Sequence, residues 1–119
     1  MTRERPIALV DATSTQPLVD VERMSEHARE ASEFLKALAH EARLMILCDL
    51  LHGEKSVGDL EALLSRRQAS VSQQLARLRL EGLISARRDG RTIYYSIASD
   101  KARSVIAALY ASFCAAEPT

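Results

Sequence analysis

Ser70, Gln73, Gln74 and Arg77 fall on the side of one helical stretch opposite Val71, Leu75 and Leu78. Gln74 follows Ser70 by four residues and Arg77 follows Gln74 by three, so these side chains share a stripe. Their chemistry suits nucleic acid. A glutamine carboxamide can pair bidentately with adenine, an arginine guanidinium with guanine, and a serine hydroxyl with base edges or phosphate. Gln68 and Ser72 stand near the start of the same helix, and Ser72 fits a phosphate contact or a plain helix surface equally well. Further on, Arg87, Arg88 and Arg91 flank a turn from which they can reach a minor groove or the phosphate backbone. An exposed polar helix face or a solvated basic loop would explain each group alone. Their order along the chain favours DNA.

That order is helix, short turn, helix, basic hairpin. Ser56 reads as the N-cap of a helix to Leu64, with Asp59 three residues on in a capping-box position. Ser65-Arg66-Arg67 makes the turn, and Gln68 to Glu81 forms the next helix, with Val71, Leu75, Leu78 and Leu80 inward and Gly82 at its end. Two strands follow, at about 83–88 and 92–97, joined around Asp89-Gly90, a dipeptide that tolerates positive φ. Tyr94 and Tyr95 alternate across the second strand, one toward the core and both in packing roles. This is the outline of a winged helix-turn-helix, mainly α with a small β-hairpin.

Residues 1–20 contain Pro6, Pro17 and no sustained period, and are expected to be a flexible tail. Residues 21–117 are expected to form one DNA-binding and dimerisation domain. From Val21, the residues Met24, Ala28, Ala31, Leu35 and Leu38 recur at helical steps. A second helix, from about His40 to Leu51, is apolar nearly all round and should be the central buried one, stopped by Gly53. A last helix from Asp100 carries Ala102, Val105, Ile106, Leu109, Tyr110 and Phe113 as its stripe. The first and last helices either cover their own core or pair across a two-fold axis. A regulator reading two half-sites favours the pairing, hence a homodimer on an inverted repeat of double-stranded DNA.

Net charge is zero, yet its distribution is uneven. Residues 66–91 hold seven arginines against Glu81 and Asp89, while residues 1–65 hold seven basic against twelve acidic side chains. The basic block coincides with the helix-turn-helix and wing, as a phosphate footprint would. No apolar run approaches the roughly 20 residues of a membrane span, and the N-terminus lacks a secretory apolar region, so a cytoplasmic protein without membrane association is expected. No constellation of nucleophile, base and orienting group supports catalysis, and no glycine loop suits phosphate binding, so no enzyme and no cofactor is expected.

The stretches Ala37-Leu38-Ala39-His40-Glu41-Ala42-Arg43-Leu44, Ser56-Val57-Gly58-Asp59-Leu60, Val71-Ser72-Gln73-Gln74-Leu75 and Gly90-Arg91-Thr92-Ile93-Tyr94-Tyr95 closely resemble the ArsR–SmtB family of bacterial repressors. The resemblance covers roughly residues 30–115. It implies a homodimeric winged-helix repressor that leaves its operator when an inducer binds. Ser56 and Gly58 stand where metal-sensing members carry the two thiolates of a Cys-Val-Cys-Asp-Leu motif. The second family metal site, on the last helix, needs histidines; here Lys101, Ala102 and Arg103 follow Asp100 and the helix contains no His. Zinc takes about four N, S or O donors, so neither site can be assembled and no metal is expected. His27, His40 and His52 fit no metal spacing, and His40 belongs to the start of the second helix.

Cys48 and Cys114 remain. Their 66-residue separation excludes a CxxC motif, and by themselves they read as two small buried hydrophobes. One cysteine in the second helix and one in the last is, however, similar to the sulfide- and persulfide-responsive branch of the family, the biofilm-growth-associated repressor type. That resemblance implies a redox-sensing pair linked by a di- or polysulfide bridge when reactive sulfur species act as inducer. Two alternatives stand beside it: a metal- or metalloid-responsive repressor using these cysteines with other ligands, and a winged-helix module that docks proteins.

Overall fold

A computed structural model describes residues 19–65 and 68–114, except for the side chains of Gln68 and Ala69. The expected tail therefore lies almost wholly outside the described residues, as do Arg66 and Arg67 of the basic block. Two compact units divide between Glu33 and Phe34.

Helix α1 spans Val21–Leu38 and crosses that division. Asp20 caps it, accepting the Arg23 N–H at 3.1 Å. Glu22 in its first turn and Lys36 in its last both complement the helix dipole.

From Phe34 onward the chain builds a winged helix-turn-helix: α2 (Glu41–Leu50), β1 (Lys55–Ser56), α3 (Val57–Leu64), α4 (Gln68–Leu80), β2 (Ile84–Asp89), β3 (Thr92–Ile97) and α5 (Asp100–Phe113). Helix α2 has no amphipathic face, and the fold uses this by packing α3, α4, α5 and β3 around it. Ile46, Leu47 and Leu50 of α2 meet Leu60, Val71, Leu75, Leu78, Ile84, Ile97 and Ile106 in one core. The Ser56–Asp59 capping box closes both ways, at 3.1 and 3.2 Å, and fixes where α3 begins. Ser65 ends α3 in the left-handed region (φ 52), turning the chain toward α4.

Three features depart from the sequence expectations. Leu80 is 83% exposed instead of inward. It lies two residues past Leu78, about 200° round the helix, so both cannot face the core. The sheet has three strands, ordered β1-β3-β2, because Lys55 and Ser56 pair with Tyr95 and Tyr94. Two residues are too few to show an alternating pattern. In α5, Ala102 and Ile106 are buried, whereas Tyr110 and Phe113 stand 58% and 71% exposed on this chain. The apolar stripe outruns the core it covers.

In the hairpin, Asp89 pairs with Thr92 across Gly90-Arg91, with Gly90 at φ 66. A glycine in the first central position is the mark of a II′ turn, whose twist suits the flanking strands. The register then places Ile84, Ala86, Tyr95 and Ile97 on the core face and Arg87 opposite Tyr94 on the other.

Candidate functional site

Helix α4 presents its residues in three grades. Val71, Leu75 and Leu78 are buried; Ser70 and Gln74 are half-buried; Ser72, Gln73 and Arg77 are exposed. The buried row fixes the helix rotation, and that rotation turns the polar residues outward. Gln68 is the first residue of α4, and its side chain lies outside the described ones. Arg77 is held lightly by Glu81, 3.4 Å away and one turn on, an exposed pair that DNA phosphate can displace.

Gln74 is placed differently from its neighbours. Its Oε1 accepts from Arg43 Nε at 2.7 Å, and Arg43 Nη1 also donates to the Ala37 carbonyl at 2.9 Å. Its Nε2 lies 3.4 Å from His40 Nε2. Sequence reasoning assigned Arg43 no role and His40 only a place at the start of the second helix. The available signal was a basic residue at position 43, just ahead of the apolar run Leu44–Leu47.

The wing arginines separate as well. Arg87 makes a bidentate pair with Glu54, at 2.7 and 2.8 Å, and its guanidinium lies 4.8 Å from the centre of the Tyr94 ring. The hydrogen bonds and charge of Arg87 hold the Glu54 carboxyl below its ordinary value. Arg88 and Arg91 are exposed, and neither pairs with an acid among the described residues. Tyr94 and Tyr95 are both half-buried on opposite faces, Tyr95 against the core.

Arg87 thus ties the hairpin to the segment before β1. Replacing it by alanine is expected to speed amide hydrogen exchange in β2 and β3 while leaving α2 unchanged. The brace should be complete at neutral pH. Because the folded-state value of Glu54 is lowered, the contribution persists below its ordinary titration and disappears only as pH falls through that lowered value. Exchange unchanged by Arg87→Ala would show that the pair holds nothing.

The two cysteines are free thiols on helices that pack together, α2 and α5. Cys48 is half-buried beside the core; Cys114 caps the C-terminal end of α5 and is exposed. Burial pushes the Cys48 thiol up, and the negative charge of a Cys114 thiolate pushes it further. No cation lowers it. Asp49, next in sequence, leans toward Lys55, 3.9 Å away. Among the described residues, no three His, Cys, Asp or Glu side chains converge on a point suited to a metal ion.

Known regulatory proteins are similar to this chain over most of its length. Residues 40–86 match the family described as bacterial regulatory protein, arsR family. The chain is 52% identical over 94 residues to the biofilm growth-associated repressor of Agrobacterium fabrum, covering 79% of this chain and 80% of that one. Among solved structures, the transcriptional repressor BigR from Xylella fastidiosa superposes with a TM-score of 0.77 at 41% identity, over 82% of this chain and 99% of that one. Reduced HlyU from Vibrio cholerae gives 0.73 at 39%, over 78% and 98%. With 39–52% identity over 80–99% of the length of these regulators, the chain belongs to the arsR family of bacterial regulatory proteins, beside the biofilm growth-associated repressors, and is a DNA-binding regulator, not an enzyme.

Proposed function

We propose that the chain is a transcriptional repressor that occupies an inverted-repeat operator as a homodimer and leaves it when reactive sulfur species bridge Cys48 and Cys114. The observation that carries the sensing half is the placement of one half-buried and one exposed thiol on two helices that pack together. The names of the relatives support repression, and the solved reduced form of one neighbour is in keeping with a redox-active family member. Exposed apolar side chains on the terminal helices, Met24 and Leu35 on α1 and Tyr110 and Phe113 on α5, support pairing between copies. Within the 21–117 domain, the two α4 helices would then sit about one DNA turn, roughly 34 Å, apart.

The sulfur chemistry runs on organic persulfide as oxidant. The exposed Cys114 thiolate attacks the outer sulfur of one persulfide, becomes a persulfide itself and releases a thiol. A second persulfide lengthens it by one sulfur and releases a second thiol. Cys48 then attacks the sulfur bonded to Cys114 Sγ and expels hydrosulfide. The bridge holds one added sulfur; both cysteines are oxidised by one electron each, and the persulfides are reduced. At rest the cytosol keeps the pair as a dithiol, the DNA-bound state. Mass spectrometry after persulfide treatment tests this by the mass added between the two cysteines. Titration with zinc and arsenite tests the metal-responsive alternative, since release by either metal without added sulfur would replace the persulfide reading.

DNA contact has its own test. Arg77→Ala is expected to cost about 1–3 kcal/mol of operator affinity and to relax preference at one base pair per half-site. Arg88→Ala should weaken all sequences alike and flatten the dependence of affinity on salt. Anisotropy titrations at several salt concentrations separate the two. Equal effects of both variants on every sequence would remove Arg77 from base reading.

A further inference from the structure

The cluster joining Arg43, Gln74 and His40 contains a pair of donors with no acceptor between them. A guanidinium only donates, so the Gln74 carboxamide must turn its oxygen to Arg43, as it does at 2.7 Å, and its NH2 group away. The NH2 group meets His40, with Gln74 Nε2 and His40 Nε2 3.4 Å apart. His40 is the N-cap of α2, and its Nδ1 accepts the Ala42 N–H at 3.1 Å. A nitrogen that accepts carries a lone pair, so the ring proton sits on Nε2. Two N–H groups therefore point into the same space. Neither can reverse freely. Turning the carboxamide over would press its NH2 onto the Arg43 N–H, and turning the ring would strip α2 of its cap.

We infer that His40 and Gln74 together bind one phosphate oxygen of the DNA backbone, with Arg43 as the positioning residue that fixes the carboxamide. The inference rests on the α4 face being the DNA-binding face. His40 is exposed and Gln74 shares the stripe of Ser70 and Arg77, so the donor pair adjoins that face. An anionic oxygen has lone pairs for both donors and gains charge-assisted hydrogen bonds from each. Bidentate adenine pairing would need the Gln74 oxygen, which Arg43 already holds. His40 stands off the reading helix, at the start of α2, where the backbone and not the groove floor is the natural partner.

Two variants separate this role from a structural one. His40→Ser keeps a side-chain acceptor at the N-cap and loses the ring donor. Gln74→Glu keeps the partner of Arg43 and replaces the donor by an acceptor that satisfies His40 and repels phosphate. Both would be titrated by anisotropy against a duplex selected from random sequence, its single-base variants, and a series carrying one methylphosphonate each. His40→Ser is expected to bind at least about tenfold more weakly. The factor should be the same for every base variant, and the salt slope should not change, because the lost donor is neutral. One methylphosphonate position should weaken the wild type and leave His40→Ser unaffected; Gln74→Glu should be weakened more than His40→Ser. Wild-type affinity in either variant, or a loss confined to one base pair, overturns the inference. A wild type that selects no duplex at all overturns instead the DNA-binding role of the α4 face, on which the inference rests.

Discussion

Operator DNA bound by Cys48→Ser or Cys114→Ser is expected to stay bound when an organic persulfide is added, while the wild type releases it. Serine leaves both helices intact: Cys48 is only half-buried and Cys114 is exposed, so affinity before treatment should match the wild type. What serine removes is one end of the bridge. The effect is all or none, since a persulfide on a single cysteine cannot tie α2 to α5. In the proposed switch that tie would be the means of release. A bridge biases the position of α5 against α2, and α2 packs on α4, so a strained linkage at one end reaches the reading helix at the other. Peroxide should act poorly. A direct disulfide needs Cα atoms within about 7 Å, whereas a bridge with an added sulfur spans more. Release of either serine variant by persulfide, followed in the same anisotropy assay, would sink the sensing half of the reading and leave the DNA-binding half standing.

Leu75→Ala is expected to destabilise the fold far more than alanine substitution of any exposed residue in the reading helix, though Leu75 faces the core and not DNA. Its side chain is 1% exposed and lies in the core with Ile46, Leu47 and Leu78. Removing it should cost about 2–5 kcal/mol, the lost burial plus the cavity left behind. Against a total stability on the order of 5–15 kcal/mol for a small domain, that is a large fraction. Leu80→Ala, five residues further along and 83% exposed, should stay within about 0.5 kcal/mol. Urea unfolding of the two variants makes the comparison. Equal midpoints would mean that α4 is not docked through the face assigned to it.

Much of this architecture was legible in the residues. Gly82 and the Ser56–Asp59 pair mark element ends through backbone preferences that act over three or four residues, and each marks one in the structure. The hairpin turn falls one residue later than expected, on Gly90-Arg91, with Asp89 still paired in β2. The run LMILCDLL pointed to the central helix, because it is apolar nearly all round, and in the structure Ile46, Leu47 and Leu50 are buried while Met45 stays exposed. The family was legible too, through motifs spread over the helix-turn-helix and wing. Where periodicity was pressed too far it failed, as at Leu80, since two residues of spacing reverse a helix face.

Tertiary structure alone decided which polar groups are already engaged. Gln74 and Arg87 have the same chemistry in sequence as Gln73 and Arg88, yet Arg43 holds the first and Glu54 the second, each more than 30 residues away along the chain. Nor could sequence set the two thiols apart. Cys48 and Cys114 differ in burial only because α2 is enclosed by four other elements while α5 runs beyond the core. Local rules fix where a helix starts and which side is apolar. Hydrogen-bond partners and thiol burial depend on contacts between distant segments, and those exist only once the chain has folded.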